Sequence, residues 1–547
     1  MFFKNNDEIV LGRVVRELRL KGFFGNVRWK WRKVFLRDAR ISLGRSLNSH
    51  IILLGESGSG KSNACKTILQ EISAKGANFV VFDAHDEYVG LAESLGADVY
   101  DAAYTGANLF EMPGRSDKEK ASETSGTLRR ILGLGHMQAY LLYKAILYTY
   151  QISESRGREP GIRDLMYTIS VFERHAKGSE LSVLRSLEHR LTPLSLSAHS
   201  SSVKAAALMG SRSVFALGRL GNAEAQAVYV EGFLRKIYEA MLAGEKSRST
   251  RFFVVIEEAG KLGEGSMLAR LAAEGRKYGI GIVVVAQRAK ALDREIRSNA
   301  ELFAAFYQRE PEELNYIANM IASGNELNRF TEVKKALRHL GRGMAVVTRS
   351  RGEPQVVRFA QCECAPRSLS LDLINASRSA IRKDELYRLL ASRGFAEPEI
   401  AERARRLIGN GTLRYHIVPS GEYSGVWYIA MPRNSAEHDV MVSLISRHLG
   451  ERGIRNKIYN SSFGPDIILF ESGGKRAAVE YETGSKKVEE TARMLERRRG
   501  RYGKVVVVVN DAFYDAYSKL SGATVMKASE AFGLLVKEFL GTTPSSG

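Results

Sequence analysis

The octapeptide Gly55-Glu56-Ser57-Gly58-Ser59-Gly60-Lys61-Ser62 constrains the fold of this chain more tightly than any other feature. It fits the spacing G-x-x-x-x-G-K-[ST] and lies between an apolar run, His50–Leu54, and an amphipathic segment that reaches about Lys75. A buried strand, a Gly-rich turn and a helix are what such a loop demands. The glycines let backbone N–H groups turn inward, and the helix that follows offers its positive end to an anion. Lys61 then supplies a point charge to the β- and γ-phosphates of ATP, and Ser62 a hydroxyl to Mg²⁺. Residues Gly55–Ser62, with Asn63 after them, are the expected nucleotide contacts.

The other half of such a site is an apolar strand that ends in acids, and Phe252-Phe-Val-Val-Ile-Glu257-Glu258-Ala fits. Two carboxylates at the end of a central strand are costly unless a metal or a base partners them. Glu257 is expected to hold the Mg²⁺ water shell and Glu258 to polarise the attacking water as general base. Gln287 follows the next apolar run, Ile282–Ala286, where an amide can sense the γ-phosphate or simply cap the strand. Arg276, in Glu274-Gly275-Arg276-Lys277-Tyr278-Gly279, reads either as a solvated basic turn or as a finger reaching a neighbouring subunit's nucleotide.

Around these motifs the fold class is α/β. Further strand runs at Asn78–Asp83, Ser213–Leu217, Leu302–Phe306 and Met344–Thr348 lack internal alternation and are separated by helical segments. That pattern indicates a parallel sheet covered on both faces. Residues 116–210 read as a helical insertion, with an apolar stripe over Met137–Tyr150. The expected organisation is a basic β-rich segment (1–46), an ATPase core (47–365), a winged helix-turn-helix (366–432), an α/β domain (433–540) and a polar disordered tail (541–547).

Lys and Arg number 81 against 61 acids, a net +20, and the first fifty residues hold 12 basic and 4 acidic side chains. Such a field attracts polyanions. Phe23-Phe24 and Trp29-Lys30-Trp31-Arg32-Lys33 interleave aromatics with the charge. A solvated basic face, a DNA contact and a dock on anionic lipid all fit. Neither a signal peptide nor a membrane-spanning run is recognisable, so the expected location is the cytoplasm, with peripheral membrane attachment as a variant. Cys362-Glu-Cys364 has no second Cys or His pair nearby and is expected to be structural.

Taken together, these elements resemble the HerA branch of the HerA/FtsK superfamily of ring-shaped DNA pumps. Val81-Phe-Asp83-Ala-His85-Asp-Glu87-Tyr88 looks like its second-strand signature, and Asn108-Leu-Phe-Glu-Met-Pro113 its Asn-Pro-Leu-type segment. Glu257-Glu258-Ala259, Glu274–Gly279 with Gln287, and Leu340-Gly-Arg-Gly343-Met-Ala345 match its later motifs. The likeness covers about residues 45–360. It implies a RecA-like core, homo-hexamers with ATP and Mg²⁺ between subunits, duplex DNA in the channel and Arg276 as the finger. Nuclease or membrane-complex partners are compatible with it. Such proteins usually begin with a sizeable β-barrel, whereas about 45 residues precede the core here.

The last block resembles the restriction-endonuclease-like fold. Pro465-Asp466 and Glu480-Tyr481-Glu482 occupy its PD-(D/E)XK positions, and Glu437 could add a carboxylate. Glu482 stands where the family's Lys belongs, with Lys486 and Lys487 close behind. An inactive DNA-binding or assembly module and a metal-dependent nuclease both remain open on this pattern.

Overall fold

Buried apolar runs become strands here, as their composition requires, but the sheet they build is wider than the repeating β–α pattern suggests. A computed structural model describes residues 8–21, 28–42, 49–102, 105–154, 159–196, 208–322, 327–349, 352–362, 368–377, 380–409, 412–418, 426–429, 435–458, 465–470 and 476–540. Phe23, Phe24, Cys364, the Pro419-Ser-Gly421 turn and the 541–547 tail lie outside them. The chain forms two units, 1–368 and 369–547.

In the first unit the strands are β1 (Glu8–Lys21), β2 (Arg28–Lys33), β3 (Asp38–Ser42), β4 (Ile51–Leu54), β5 (Asn78–Asp83), β6 (Asp98–Asp101), β7 (Arg212–Ala216), β8 (Ser247–Glu257), β9 (Tyr278–Ala286), β10 (Leu302–Ala305), β11 (Met344–Arg349) and β12 (Gln355–Phe359). One sheet holds them in the order β2-β1-β12-β11-β10-β4-β9-β8-β5-β7-β6, with β3 also on β1. From β10 to β6 every pairing is parallel, whereas β11, β12 and β1–β3 add an antiparallel flank. Ile51–Leu54, Phe79–Phe82 and Phe252–Ile256 are buried throughout, as strands covered on both faces must be. The 1–46 segment is thus not a separate domain in its described part; it completes the core sheet.

The insertion folds as four described helices, Asp117–Leu132, His136–Glu154, Ile162–His175 and Gly178–Leu196. A Ser116/Glu119 capping box starts the first and left-handed Gly133 ends it. The expected stripe holds at Leu141, Leu142, Ala145, Ile146 and Tyr150, but Met137 and Tyr140 are more than half exposed. A longer helix, Ala223–Ala243, packs on the sheet through Phe233, whose ring lies 4.5 Å from that of Phe215.

The second unit contains the helix Leu369–Ala376, β13 (Ile381–Arg382), helices Lys383–Ser392 and Glu397–Gly409, then β14 (Leu413–His416) and β15 (Val426–Ile429), in sheet order β13-β15-β14. Sequence patterning missed the first helix and the two-residue strand, because each is too short to show a period. Next come the helix Ala436–Glu451, β16 (Asn456–Ile458), β17 (Ile467–Phe470), β18 (Arg476–Glu482), the helix Val488–Arg499, β19 (Lys504–Val509) and β20 (Thr524–Lys527). The sheet β16-β17-β18-β19-β20 is antiparallel up to β18 and parallel after it.

The tryptophans of the basic segment are structural. Trp29 is buried, its backbone N–H donates to Asn328 Oδ1 at 2.7 Å, and the Arg329 guanidinium lies 4.6 Å from its ring centre. Trp31 Nε1 donates to the Glu332 carbonyl at 3.1 Å. Both therefore bind the helix Leu327–Arg338 rather than an external ligand. Trp29→Ala is expected to lower stability by about 3 kcal/mol through lost burial and the cavity left behind. Urea denaturation measures this, and a change near zero would mean the tryptophan anchors nothing.

Candidate functional site

The loop sits where β4 ends, and its shape is set by close approach of backbone. Gly55, Gly58 and Gly60 have φ of 148°, 75° and 109°, a region unfavourable to other residues. A Cβ on Gly60 would lie 2.8 Å from Gly343 N, and one on Gly55 2.8 Å from Phe306 Cβ. Gly343 N–H donates to Ser59 O at 2.9 Å, and Glu56 N–H to Tyr307 O at 3.1 Å. The Gly343 motif thus acts as a backstop for the loop. Ser57 and Gly58 are exposed at its tip, and the Ser59 hydroxyl closes the turn on Glu56 O at 2.7 Å.

Lys61 opens the helix Lys61–Ala74, and its ammonium folds back onto Gly55 O and Glu56 O, both at 2.8 Å. Burial pushes its pKa down, while Glu257, Glu87, Glu258 and Glu56 pull it up. A cation held against carbonyls inside a ring of backbone N–H groups is suited to phosphate. The Glu56 carboxylate accepts from Arg309 N–H at 2.7 Å. The Asn63 side chain binds Ala360 O and Cys362 N–H at 2.9 and 3.0 Å, so it ties the helix to the chain beyond β12.

Sheet order brings the acids to this loop. β9 lies between β4 and β8, with Leu54 opposite Ala286 and Val285 opposite Glu257. The exposed Gln287 therefore emerges between the loop and Glu257, at the carboxyl ends of the strands. Glu257 is buried, and Tyr88 OH donates to its Oε1 at 2.9 Å. Burial raises its pKa against the pull of Tyr88 and of the Ser62 hydroxyl. Its Oε2 is buried without a hydrogen bond of ordinary geometry. An orphaned carboxylate oxygen beside Ser62 fits a divalent cation, since both are hard oxygen ligands.

Glu258 has φ 53° and ψ 37°, a left-handed conformation unusual for a non-glycine residue. The turn aims its carboxylate at His85 Nε2, 2.9 Å away, and at the Lys261 ammonium. Burial would raise its pKa, but Lys261 and His85 hold it down, so Glu258 is ionised. His85, from the segment that follows β5, is thus its direct partner. The clue in the sequence is its place two residues past the end of β5, level with the end of β8.

Asp83 takes no part in that contact. It accepts Glu87 N–H at 3.0 Å and Tyr88 N–H at 2.7 Å, pinning the turn that carries His85 and Tyr88. Burial and then Glu257 push its pKa to about 7. Arg276 is exposed in the 3₁₀ turn before β9, at the opposite end of the sheet. Along the nine residues of β9, at about 3.3 Å each, it stands about 30 Å from Gln287, beyond reach of its own loop.

The C-terminal carboxylates are held by different partners. Glu437 Oε1 accepts from Tyr481 OH at 2.8 Å, on the opposite side of β18 from Glu480 and Glu482. Asp466 Oδ2 accepts Tyr481 N–H at 2.7 Å and lies 3.3 Å from His438 Nε2. Glu480 pairs with Arg498 at 2.6 Å, and Glu482 with Lys486 at 2.9 Å. Among the described residues no cluster of three His, Cys, Asp or Glu is placed to hold a metal. Burial and then Asp466 raise the Glu480 pKa, while Arg498 and Lys486 lower it.

Comparison with known proteins places the loop in a family context. Residues 36–127 match the family model "Helicase HerA, central domain". The chain is 26% identical over 324 residues to the DNA double-strand break repair helicase HerA of Saccharolobus solfataricus, covering 52% of this chain and 62% of that protein. It is 24% identical over 328 residues to the namesake of Sulfurisphaera tokodaii, covering 55% and 62%. The chain thus spans about three-fifths of these relatives. Among solved structures, VirB4 of Thermoanaerobacter pseudethanolicus aligns with TM-score 0.46 and 17% identity over 60% of this chain and 94% of that one. The plasmid coupling protein TrwB in complex with ADP and Mg²⁺ aligns with TM-score 0.45 and 16% identity over 58% and 87%.

One pH effect follows from the C-terminal cluster. Burial would lower the His438 pKa, but Asp439 and Asp466 overcome it and raise it to about 9. A raised histidine stabilises fully below about 6.5, and the benefit is lost as pH rises through about 9, a span worth about 3 kcal/mol. Denaturation at pH 6 and pH 10 should therefore show a loss in the parent protein that His438→Asn lacks. Equal losses in both would remove His438 as the source.

Proposed function

We propose that this chain, whose core is HerA-like, is an ATP-driven motor that moves duplex DNA as a ring of identical subunits. The observation that carries the reading is the convergence of Lys61, Ser62, Glu257, Glu258 and Gln287 at the carboxyl ends of β4, β9 and β8, with Arg276 far from it. Lys61 and the N–H groups of the loop bind the triphosphate. Ser62 and Glu257 are the residues that would hold Mg²⁺, which supplies positive charge to the β- and γ-phosphate oxygens. Glu258, ionised and aimed by His85 and Lys261, takes the proton of the attacking water. Gln287 orients that water or the γ-phosphate.

Arg276 completes the site only from a neighbouring subunit, because its own loop lies at the other end of the strands. This arrangement supports a ring, since each site then needs two chains. Duplex DNA as the track rests on the HerA likeness and on the net charge of +20. The C-terminal unit is read as a non-cleaving DNA-binding or assembly module, because Asp466, Glu480 and Glu482 are each paired with a protein cation. Helix, strand, two helices and hairpin in 369–429 support a winged helix at its start.

Lys61→Ala is expected to abolish ATP binding, and Glu258→Gln to bind ATP while hydrolysing it at least a hundredfold more slowly. Lys61→Ala and Arg276→Ala should each be inactive alone. Mixed in equal amounts they should recover about a quarter of parental DNA-stimulated ATPase, the fraction of interfaces with both groups intact. No recovery on mixing, or full DNA-independent hydrolysis by a monomer, would sink the ring reading. Cutting of DNA with Mg²⁺ or Mn²⁺ that Asp466→Ala removes would overturn the reading of the C-terminal unit.

A further inference from the structure

The geometry points to a single-strand nucleic-acid grip on the outer ribbon of the sheet, formed by β1 and β2 and ending in an apolar tip. Over the paired segments 16–21 and 28–33 there are seven basic side chains and one acid, Glu17. Register places Arg19 directly opposite Lys30, and Lys21 opposite Arg28. All four are exposed, and each pair sets like charges on one face, which destabilises a ribbon that carries no ligand. Glu17 does not relieve them as a set. It is buried and is shared by Arg19 at 2.9 Å and Arg37 at 3.1 Å. With Trp29 and Trp31 turned inward onto the helix Leu327–Arg338, the outward face of β2 is left to Arg28, Lys30 and Arg32.

The second observation is the tip. β2 and β3 run in sequence along one edge of β1 and are separated by a bulge, whose ends are fixed by Val34 N–H to Val15 O at 3.1 Å and Val14 N–H to Arg37 O at 2.9 Å. Between them Phe35 is 82% exposed and Leu36 91% exposed, and Leu36 has φ 52°. Bulges re-aim side chains, and a leucine in the left-handed region is a strained way to present one. Edge strands are often blunted by Lys and Arg, which would account for the charge alone. It does not account for an exposed Phe-Leu pair on the same edge, which works against blunting. A cationic row that follows a backbone, next to an aromatic that can stack on an unpaired base, is the chemistry of single-strand binding.

This grip needs no ATP hydrolysis, so it stands or falls apart from the motor reading. The test is fluorescence anisotropy of the full-length protein without nucleotide, using labelled oligo-thymidine, a blunt duplex and phosphatidylserine vesicles at several salt concentrations. The triple variant Arg28→Glu/Lys30→Glu/Arg32→Glu should bind oligo-thymidine at least tenfold more weakly, with a salt slope flatter by roughly 2. Phe35→Ser should weaken the single strand about tenfold and leave the duplex unchanged, because duplex bases are not available for stacking. Circular dichroism checks that both variants are folded; Phe35→Ser replaces a side chain with no burial to lose. Unchanged affinity and slope in the triple variant would overturn the proposal. So would loss of vesicle binding in Phe35→Ser with oligo-thymidine binding intact, which would assign the tip to a lipid surface.

Discussion

The register of β4, β9 and β8 is the constraint on which the candidate site depends. Leu54 comes level with Ala286, and Glu257 with Val285, only because three strands buried on both faces pair parallel in one register. A shift by one residue would turn each core side chain to the other face, where it would meet neighbours of another shape, so packing fixes the alignment. The base of the phosphate loop is fixed from behind as well. Ser59 O, Gly343 N and the Phe306 side chain fill the space behind it, and only glycine fits at Gly55 and Gly60.

Around that frame the polar groups are arranged in two opposed states. Glu257 is buried and its pKa is pushed up; Glu258 is tied to His85 and Lys261 and its pKa is held down. Neighbouring residues thus receive different electrostatic surroundings from one tight turn. The strain at Glu258 is the cost of pointing the two carboxylates apart. Asp83 contributes by holding the opposite turn through backbone N–H bonds, among them those of His85 and Tyr88, whose side chains partner the two carboxylates.

Charge compensation separates the other two regions. In the C-terminal unit His438, Lys486 and Arg498 each face an acid. Breaking one partner of such a buried pair is far more costly than the pair's net contribution. On the β1–β2 ribbon the balance is reversed, with cations opposite cations and a single shared acid.

The sequence by itself determined the loop, the acid-tipped strand, most strands of the parallel sheet and the helical insertion. Each is written in a local period or a spacing that one short segment carries whole. Tertiary structure alone decided that 8–42 joins the core sheet through β12, because antiparallel pairing across more than three hundred residues leaves no local pattern. Only packing turned Trp29 and Trp31 into anchors, drew Asn63 to Ala360 and gave His85 to Glu258. Only strand direction put Arg276 out of reach of its own loop. Spacing specifies which groups a segment offers; which of them meet is fixed by register and burial, and these belong to the whole sheet.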